Sequence, residues 1–236
     1  MHAPAAGPIL VVEADRQIAR AISEQLLADG FAVELARSAE HARILARASS
    51  PALAVLGGLD APRGALELLR EIRRADGSRA PWDRTLPAIV IGGEQCELEL
   101  LRAFEAGADD FMVRPAGYLE LRARLCALLR RAHGGDSGRR VIDVGPLRID
   151  TAAHVADLEG RELDLRRMEF ALLVHLAREP ERVFTKAELL SAVWGYGSSG
   201  STRTVDSHAS RLRRKLSDTS PRRWVISMRG IGYRLI

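Results

Sequence analysis

The stretch RTVDSHASRLRRKL, residues 203–216, decides how the second half of this 236-residue chain folds. Apolar residues recur along it at helical spacing, at Val205, Ala209, Leu212 and Leu216. This period predicts an α-helix that packs its apolar stripe against a domain interior. Polar and cationic residues occupy the opposite face, at Arg203, Ser207, Ser210, Arg211 and Arg214. We therefore expect a helix that packs on one side and presents positive charge on the other.

Basic residues concentrate around this helix. Residues 1–133 contain 17 Lys and Arg against 18 Asp and Glu, whereas residues 134–236 contain 18 against 13. Residues 203–236 alone hold nine basic residues and two acidic ones. This imbalance favours a polyanionic partner, and double-stranded DNA fits because its major groove admits an α-helix. The alternative is a solvated basic face, since 33 of the 35 basic residues are arginine and arginine content alone decides nothing.

A second cationic motif, RGIGYR at residues 229–234, follows the helix. Two β-like runs, Trp224–Met228 and Tyr233–Ile236, flank this motif and predict a hairpin. Arg229 then lies at a glycine-flanked tip, where a thin side chain is able to enter a minor groove.

The remainder of the second half predicts a small α+β domain. Short β-like runs separated by turn residues indicate an antiparallel sheet, at Val141–Val144, Leu147–Ile149, His154–Leu158 and Arg161–Leu165. Apolar residues at helical spacing follow, at Phe170, Leu173, Val174 and Ala177. Another helix is expected from about Lys186 to Val193, with Thr185 as its N-cap.

In the first half, five short apolar runs alternate with helical patterns. The runs are Ile9–Val12, Ala32–Leu35, Leu53–Leu56, Ala88–Ile91 and Phe111–Val113. Because they are apolar throughout, they predict a doubly wound α/β domain whose five-stranded parallel sheet is buried on both faces. Any site should then lie at the carboxyl ends of the strands. We expect an α/β domain over residues 1–132, a glycine-rich linker over 133–140 and the α+β domain over 141–236.

The composition argues against several other classes of protein. No apolar run approaches the roughly 20 residues of a membrane span, and the N-terminus lacks a basic region followed by an apolar one. We therefore expect a cytoplasmic protein with no membrane partner. Cys96 and Cys126 have no ligand-like spacing, so no metal site or other cofactor is expected. Small buried hydrophobes are the favoured interpretation of both cysteines, and a thiol switch is the alternative.

The two cationic motifs of the second half resemble the recognition helix and wing of the OmpR/PhoB family. Three short segments match the two helices that precede the recognition helix in this family: Glu169-Phe170, Glu188-Leu189-Leu190 and Val193-Trp194. The resemblance implies a winged helix-turn-helix whose DNA-binding residues are Trp194, Arg203, Thr204, Ser207, His208, Ser210, Arg211, Arg214, Lys215, Ser227 and Arg229. Ser207, Arg211 and Arg214 would approach bases. Arg203, Trp194, Ser227 and Lys215 would hold phosphates, and Arg229 would enter the minor groove.

Packing roles compete with DNA contact for some of these residues. Trp194 and Tyr233 are equally well explained as core anchors, and His208 is more simply a packing residue than a ligand. Asp206 is expected to orient a neighbouring arginine.

The first half resembles the receiver domain of the same family, with ILVVE at 9–13 as the first strand and GADDF at 107–111 leading into the fifth. A typical receiver has an acceptor aspartate after the third strand, an acidic pair after the first, Ser or Thr after the fourth and lysine after the fifth. The corresponding residues here are Gly57, Glu13 with Ala14, Gly92 and Arg114.

These departures predict a receiver that is not phosphorylated in the usual way. The hydrogen side chain of Gly57 cannot form an acyl phosphate, and one carboxylate beside a guanidinium is a poor Mg²⁺ site. Asp60 is considered as a displaced acceptor, and Asp15 as a partial replacement for the lost acid or as the start of the first helix. We hypothesise that Arg114 pairs with Glu13 and fixes one conformation; the alternative is two solvated side chains.

By the same resemblance, the fourth helix, fifth strand and fifth helix form a surface through which two copies pair. Its charged residues are Arg102, Asp109, Asp110, Glu120, Arg124 and Arg131, expected in reciprocal salt bridges across a two-fold axis. Leu101 and Leu125 would supply the apolar contact. The alternative is a surface that stays monomeric until DNA aligns two copies.

Together these patterns predict a sequence-specific, dimeric, DNA-binding transcriptional regulator that acts without aspartyl phosphate and recruits or blocks RNA polymerase. Three alternatives remain open: a regulator that senses a small ligand in the receiver cleft, a phospho-switch with Asp60 as acceptor, and a protein-docking adaptor. An enzyme is not expected, because no nucleophile, base and orienting group occur in a motif of known spacing.

Overall fold

The computed structural model describes residues 7–59, 64–75, 80–93, 97–133, 141–195 and 202–236, without the side chains of Glu97 and of residues 130–133. The chain divides into two compact units, Met1–Ala132 and His133–Ile236. In the described part of the chain, every helix is too short or too polar to cross a lipid bilayer.

The first unit is a five-stranded parallel sheet with helices on both faces. Its strands are β1 Ile9–Val12, β2 Val33–Ala36, β3 Leu53–Leu56, β4 Ala88–Gly92 and β5 Asp110–Val113. Its helices are α1 Arg16–Ala28, α2 Ala39–Ser49, α3 Ala65–Arg73, α4 Glu97–Ala106 and α5 Tyr118–His133. The strand order β2-β1-β3-β4-β5 is that of a doubly wound fold, as predicted.

Burial explains why the apolar runs became strands. All residues of β1 and β3 are buried because helices cover both faces of the sheet. Asp15 caps α1 by accepting hydrogen bonds from the backbone N–H of Gln17 and Ile18 at 2.8 and 3.0 Å. Because the strands are parallel, the residues that follow them meet at one edge, and this edge forms the cleft described below.

The second unit combines two antiparallel sheets with three helical segments. Its strands are β6 Val141–Val144, β7 Leu147–Asp150, β8 Val155–Leu158, β9 Arg161–Glu162, β10 Phe184–Thr185, β11 Ile226–Met228 and β12 Gly232–Arg234. Its helices are α6 Arg167–Arg178, α7 Lys186–Leu189, which continues as a π-helical turn over Leu190–Trp194, and α8 Arg203–Thr219. The four-stranded sheet has the order β6-β7-β8-β9 and the three-stranded sheet the order β10-β12-β11.

Local signals account for most of these boundaries. The Thr185 side chain accepts from the Glu188 N–H at 3.1 Å and Glu188 bonds back to the Thr185 N–H at 2.7 Å, so the predicted cap is confirmed as a capping box. The sequence did not predict β10, because two residues show no alternation. At Gly232 of β12, a Cβ would overlap the Phe184 carbonyl oxygen, so glycine allows the two strands to pair this closely.

Candidate nucleic-acid interface and strand-end cleft

The exposed side of α8 carries four polar or cationic side chains predicted to contact DNA. Arg203, Ser210 and Arg214 are exposed and Ser207 is half-buried, while Val205, Ala209, Leu212 and Leu216 are buried against the unit's interior. The division of the helix into an apolar and a polar side is therefore as predicted except at Arg211, which is described below. The exposed side is polar and partly cationic, which suits approach to a duplex groove.

The β11–β12 hairpin presents a second cationic point. Arg229 and Ile231 are exposed at its tip, and Gly230 adopts a positive φ of 75°, which favours glycine. Ser227 is exposed on β11. The tip has the composition of an arm that inserts into a groove, an arginine beside one apolar residue.

Three residues predicted to contact DNA lie instead in the interior. Trp194, Thr204 and His208 are 0%, 2% and 2% exposed. The Trp194 and His208 rings pack with centroids 5.3 Å apart, which joins the π-helical turn to α8. Their burial favours the packing interpretation weighed for Trp194 and His208, in which they support the recognition surface from beneath.

Arg211 is also buried, and its predicted place on the exposed face of α8 is wrong. The residue is 9% exposed because its guanidinium turns inward: Nε donates to Glu169 Oε1 at 3.2 Å, and Nη2 lies 2.9 Å from His208 Nδ1. Lys215, predicted to hold a phosphate, places its Nζ 2.7 Å from Glu169 Oε2 and also donates to the Asp164 carbonyl. We call Glu169, Arg211 and Lys215 the Glu169 cluster.

Asp206, expected to orient an arginine, instead binds a lysine and a tyrosine and so joins three elements of the second unit. Its carboxylate accepts from the Tyr233 hydroxyl at 2.6 Å and from Lys186 Nζ at 2.8 Å. Burial, followed by this hydrogen bond to Asp206, raises the pKa of Tyr233 to about 12. Asp206 therefore ties α8 to the hairpin strand β12 and to α7.

In the first unit, the carboxyl ends of the strands form a strand-end cleft, and the predicted pairing of Glu13 with Arg114 across it is confirmed. Arg114 Nη2 donates to Glu13 Oε2 at 2.5 Å. The same carboxylate accepts from the Gly58 N–H at 2.9 Å and from the Asp15 N–H at 3.1 Å. Glu13 is 2% exposed and the Arg114 side chain is 26% exposed, so the carboxylate of this ion pair is buried and its guanidinium partly buried.

The space beside Gly57 is filled by the Glu13 carboxylate. A Cβ at Gly57 would overlap Glu13 Oε2 and lie 3.2 Å from Arg114 Nη2. Gly92 is similar, because a Cβ there would come within 2.7 Å of Phe111 Cε2 and 3.0 Å of Glu99 Cδ. At both glycines, a neighbouring side chain occupies the room that a larger residue would need.

The other predicted cleft residues have structural roles. Ala14 is half-buried, and its N–H donates to the Gly58 carbonyl at 2.8 Å. Asp15 serves as the N-cap of α1, and hydrogen bonds from Ile18 and then Gln17 hold the pKa of its carboxyl below the ordinary value. Asp60 lies outside the described residues.

The strand-end cleft remains open beside the ion pair, with a volume of about 490 Å³. Apolar residues, several glycines and six charged side chains line it; the charged ones are Glu13, Asp15, Glu67, Arg70, Glu99 and Arg114. Four acids against two arginines give the lining an excess of negative charge.

On the surface predicted to pair two copies, three of the charged residues are buried in contacts within the chain. Asp109, Asp110 and Arg124 are 3%, 0% and 6% exposed. Arg124 holds Asp110 through Nη1 at 2.7 and 2.9 Å and also contacts Glu120. The expected exposed positions of these three residues are therefore wrong.

Asp109 is held by Arg73 of α3. Arg73 Nη2 donates to it at 2.9 Å, and the same guanidinium donates to the backbone carbonyls of Gly107, Arg84 and Leu86. Arg102 and Glu120 are exposed, and the Arg131 side chain lies outside the description. Leu101 is 44% exposed, whereas Leu125, expected on the pairing surface, is a core residue at 0%.

Comparison with known proteins places this geometry in a family. The profile described as "Transcriptional regulatory protein, C terminal" matches residues 160–235. DNA-binding response regulator MtrA of Mycolicibacterium smegmatis is 32% identical over 227 residues, covering 96% of this chain and 95% of MtrA. The chain belongs to the OmpR/PhoB family of response regulators. It is a DNA-binding transcriptional response regulator with a receiver fold and a winged helix domain.

Two further relatives match along the whole response regulator. Transcriptional regulatory protein ResD of Bacillus subtilis is 31% identical over 234 residues, covering 96% of this chain and 94% of ResD. Among solved structures, a mutant of RitR superposes with a TM-score of 0.67 at 25% identity, covering 97% of this chain and 98% of that one.

Proposed function

We propose that this response regulator is a sequence-specific, dimeric transcription factor that acts without aspartyl phosphorylation. The observation that carries the proposal is the Glu13 carboxylate, which fills the space beside Gly57 and bonds to Arg114. Among the described residues that follow β3, Gly57, Gly58 and Leu59, none has a side chain that is able to accept a phosphoryl group.

The surroundings of Glu13 argue against Glu13 as a substitute acceptor. Its two oxygens already accept from Arg114, Gly58 and Asp15. Phosphorylation would break a buried ion pair and leave the Arg114 guanidinium without this carboxylate, which is costly in a site of low dielectric. Mg²⁺, which favours several oxygen ligands, would also have to compete with that guanidinium.

Treatment with acetyl phosphate tests this independence directly. We expect the intact mass of the full-length protein to be unchanged, while an ordinary response regulator with an acceptor aspartate gains a phosphoryl group under the same conditions. An Asp60→Ala variant, treated in parallel, identifies the displaced acceptor if mass is gained. An acid-labile phosphoryl mark on the wild-type protein, linked to a change in DNA affinity, would refute phosphorylation independence.

The exposed face of α8 and the hairpin tip support recognition of DNA sequence through two grooves. Arg203, Ser207, Ser210 and Arg214 lie on the outer side of α8, which would face a major groove, and Arg229 lies at the hairpin tip, which would face an adjacent minor groove. Two copies would bind half-sites about one helical turn apart, and the bound protein would recruit or block RNA polymerase. Selection of duplexes from a random pool by untreated protein should return a repeated half-site; a pool without enrichment would contradict the proposal.

Pairing of two receivers is supported by apolar residues exposed on α4, β5 and α5. Leu98, Leu101, Val113 and Leu119 are 52%, 44%, 40% and 78% exposed. Salt bridges would contribute less than first expected, since Asp109, Asp110 and Arg124 are engaged within the chain. Sedimentation of the full-length protein at micromolar concentration should reveal a dimer, and Leu101→Glu should shift it to monomer. A wild-type monomer that pairs only on DNA would favour the alternative.

The strand-end cleft supports a second candidate, a regulator that senses a small molecule. Its volume of about 490 Å³ lies in the range of small-ligand sites. A thermal-shift screen of metabolites against the full-length protein tests this candidate. A hit that is lost in Gly93→Leu and that changes DNA affinity would support it; hits unaffected by this substitution would not.

A further inference from the structure

The Glu169 cluster contains one more cation than its buried carboxylate needs. Glu169 is 0% exposed on α6, and its oxygens face Arg211 Nε at 3.2 Å and Lys215 Nζ at 2.7 Å. The N–H of Arg166 also donates to Oε2 at 2.9 Å. With one negative and two positive charges, the cluster has an excess cation beneath the DNA-facing helix.

Of the two cations, Arg211 is held by the longer contact. Its Nε distance to Glu169 exceeds that of Lys215 Nζ by half an ångström, from 2.7 to 3.2 Å. If Arg211 leaves, the carboxylate retains Lys215 and the Arg166 N–H and is not left unpaired. Outward rotation of Arg211 therefore costs its contacts to Glu169 and His208 but does not leave the buried carboxylate unpaired.

Arg211 must leave the cluster before it contacts a base. Its side chain is 10% exposed, with Nε on Glu169 and Nη2 beside His208 Nδ1. A guanidinium in this position does not extend from the helix surface into a groove. A bidentate contact to guanine needs two outward-pointing N–H groups, so the side chain has to rotate away from α6.

We infer that Glu169 is a positioning residue that holds Arg211 inward in the absence of the correct DNA, while Lys215 neutralises Glu169 once Arg211 turns outward. This inference rests on the proposed DNA-binding function and on the base contact that the OmpR/PhoB resemblance implies for Arg211, which its inward position allows only after the side chain rotates outward. Holding the arginine reduces the population that is ready to bind, so the apparent affinity for the preferred sequence falls by that fraction. Phosphate contacts by other residues are unaffected, so affinity for unrelated DNA stays the same.

The test uses the full-length protein, a duplex that the wild-type protein selects from a random pool, and a scrambled duplex of equal length and composition. Glu169→Gln keeps the shape of the side chain and removes its charge. We expect this variant to bind the selected duplex about three- to tenfold more tightly, which corresponds to the loss of one charge-assisted hydrogen bond. Binding to the scrambled duplex should change less than twofold, within about the error of such titrations.

A double-mutant cycle separates positioning from a general effect on charge or folding. In an Arg211→Ala background, Glu169→Gln should have no effect on the ratio of selected to scrambled affinity. Lys215→Gln should move the ratio in the opposite direction, because Glu169 then retains Arg211 more firmly. Thermal unfolding of each variant shows whether the second unit is folded at the assay temperature.

The outcomes distinguish failure of the positioning role of Glu169 from failure of base recognition by Arg211. If Arg211→Ala leaves the ratio of selected to scrambled affinity unchanged, Arg211 does not read bases, and both the base contact and the positioning role are refuted. If Arg211→Ala lowers the ratio but Glu169→Gln also lowers it or leaves it unchanged, only the positioning role is overturned. The same holds if the gain from Glu169→Gln persists in the Arg211→Ala background.

Discussion

Each unit of this response regulator buries one glutamate beside an arginine, but the two sites differ in their balance of charge. In the receiver, Glu13 faces one cation, Arg114 at 2.5 Å, and backbone N–H groups complete its hydrogen bonds. In the winged helix domain, Glu169 faces Arg211 and Lys215 together. A pair with one cation leaves an unpaired buried charge if either partner moves, whereas a carboxylate with two cations stays paired when one of them leaves.

The difference separates a site that is fixed from one that is able to rearrange. Unpaired buried charge is expensive, so the Glu13 pair has one stable arrangement and holds the strand ends together. The Glu169 carboxylate stays paired in two arrangements, with both cations or with Lys215 alone, and in the inferred rearrangement the cation that leaves belongs to the DNA-facing helix. Under the proposed function, the receiver uses this fixed pair as a permanent structural contact, while the site that is able to rearrange lies in the DNA-binding domain.

Arg114→Ala should have the largest effect, because it leaves Glu13 buried without a cation. We expect a loss of about 3 kcal/mol in the stability of the receiver, toward the lower end for broken buried pairs because the Arg114 side chain is 26% exposed. Hydrogen exchange of the β1 and β3 amides in the full-length protein measures this loss. Arg70→Ala, in an exposed pair with Glu67, is the control and should cost less than about 1 kcal/mol. Equal losses would mean that burial of the pair is unimportant.

Gly57→Asp tests whether the strand-end cleft has room for a second carboxylate beside Glu13. The new side chain would overlap Glu13 and add a like charge beside it, so we expect a loss of about 2 kcal/mol in receiver stability. Gly64→Asp is a matched control, because a Cβ at Gly64 meets nothing within 4 Å. Adding Glu13→Ala to Gly57→Asp should recover part of the loss, and no recovery would contradict the assigned overlap.

Lys215→Met tests whether the second cation of the Glu169 cluster is needed for the stability of the winged helix domain. Glu169 keeps Arg211 and the Arg166 N–H, so we expect the winged helix domain to lose only about 1 kcal/mol. Fluorescence of the buried Trp194 and Trp224 during denaturant unfolding follows this domain when the receiver's Trp82 is replaced by phenylalanine in every protein compared. A loss as large as that of Arg114→Ala in the receiver would show that the second cation is not in excess.

The smallest effect concerns Asp206, another carboxylate of the second unit with two donors. Asp206→Asn removes the charge beside Tyr233, so the pKa of that hydroxyl should fall from about 12 while staying above 10.0, because burial remains. The raised pKa stabilises the folded state below pH 10 and this contribution is lost as the pH rises towards 12. A tyrosinate absorbance titration, with Tyr118 and Tyr196 changed to phenylalanine, measures the shift. An unchanged pKa would mean that burial alone raises it.

Periodicity and the geometry of parallel sheets sufficed to predict the fold and the strand-end cleft. The residues after β1, β3, β4 and β5 meet at one edge in any doubly wound sheet, so the approach of Arg114 to Glu13 follows from topology. The division of α8 into two faces followed from its helical period. Short-range rules of this kind do not depend on which distant side chains meet.

The burial of Arg211 and Asp109 could not be predicted in the same way. Each is buried by a partner distant in sequence, Glu169 for Arg211 and Arg73 for Asp109, and no periodic pattern identifies such partners. One local signal was available for Glu169, which shares a helical stripe with Leu172, Leu173 and Leu176. An acid in an apolar stripe needs a buried cation, and α8 is rich in them.

The close packing of Glu13 against Gly57 also limits which substitutions this receiver tolerates during evolution. A mutation that places an aspartate at position 57 collides with Glu13 unless that residue has already been shortened. Shortening Glu13 first leaves Arg114 without its carboxylate. Because either single step is expected to lower stability, an aspartate at position 57 is tolerated best when both residues change together.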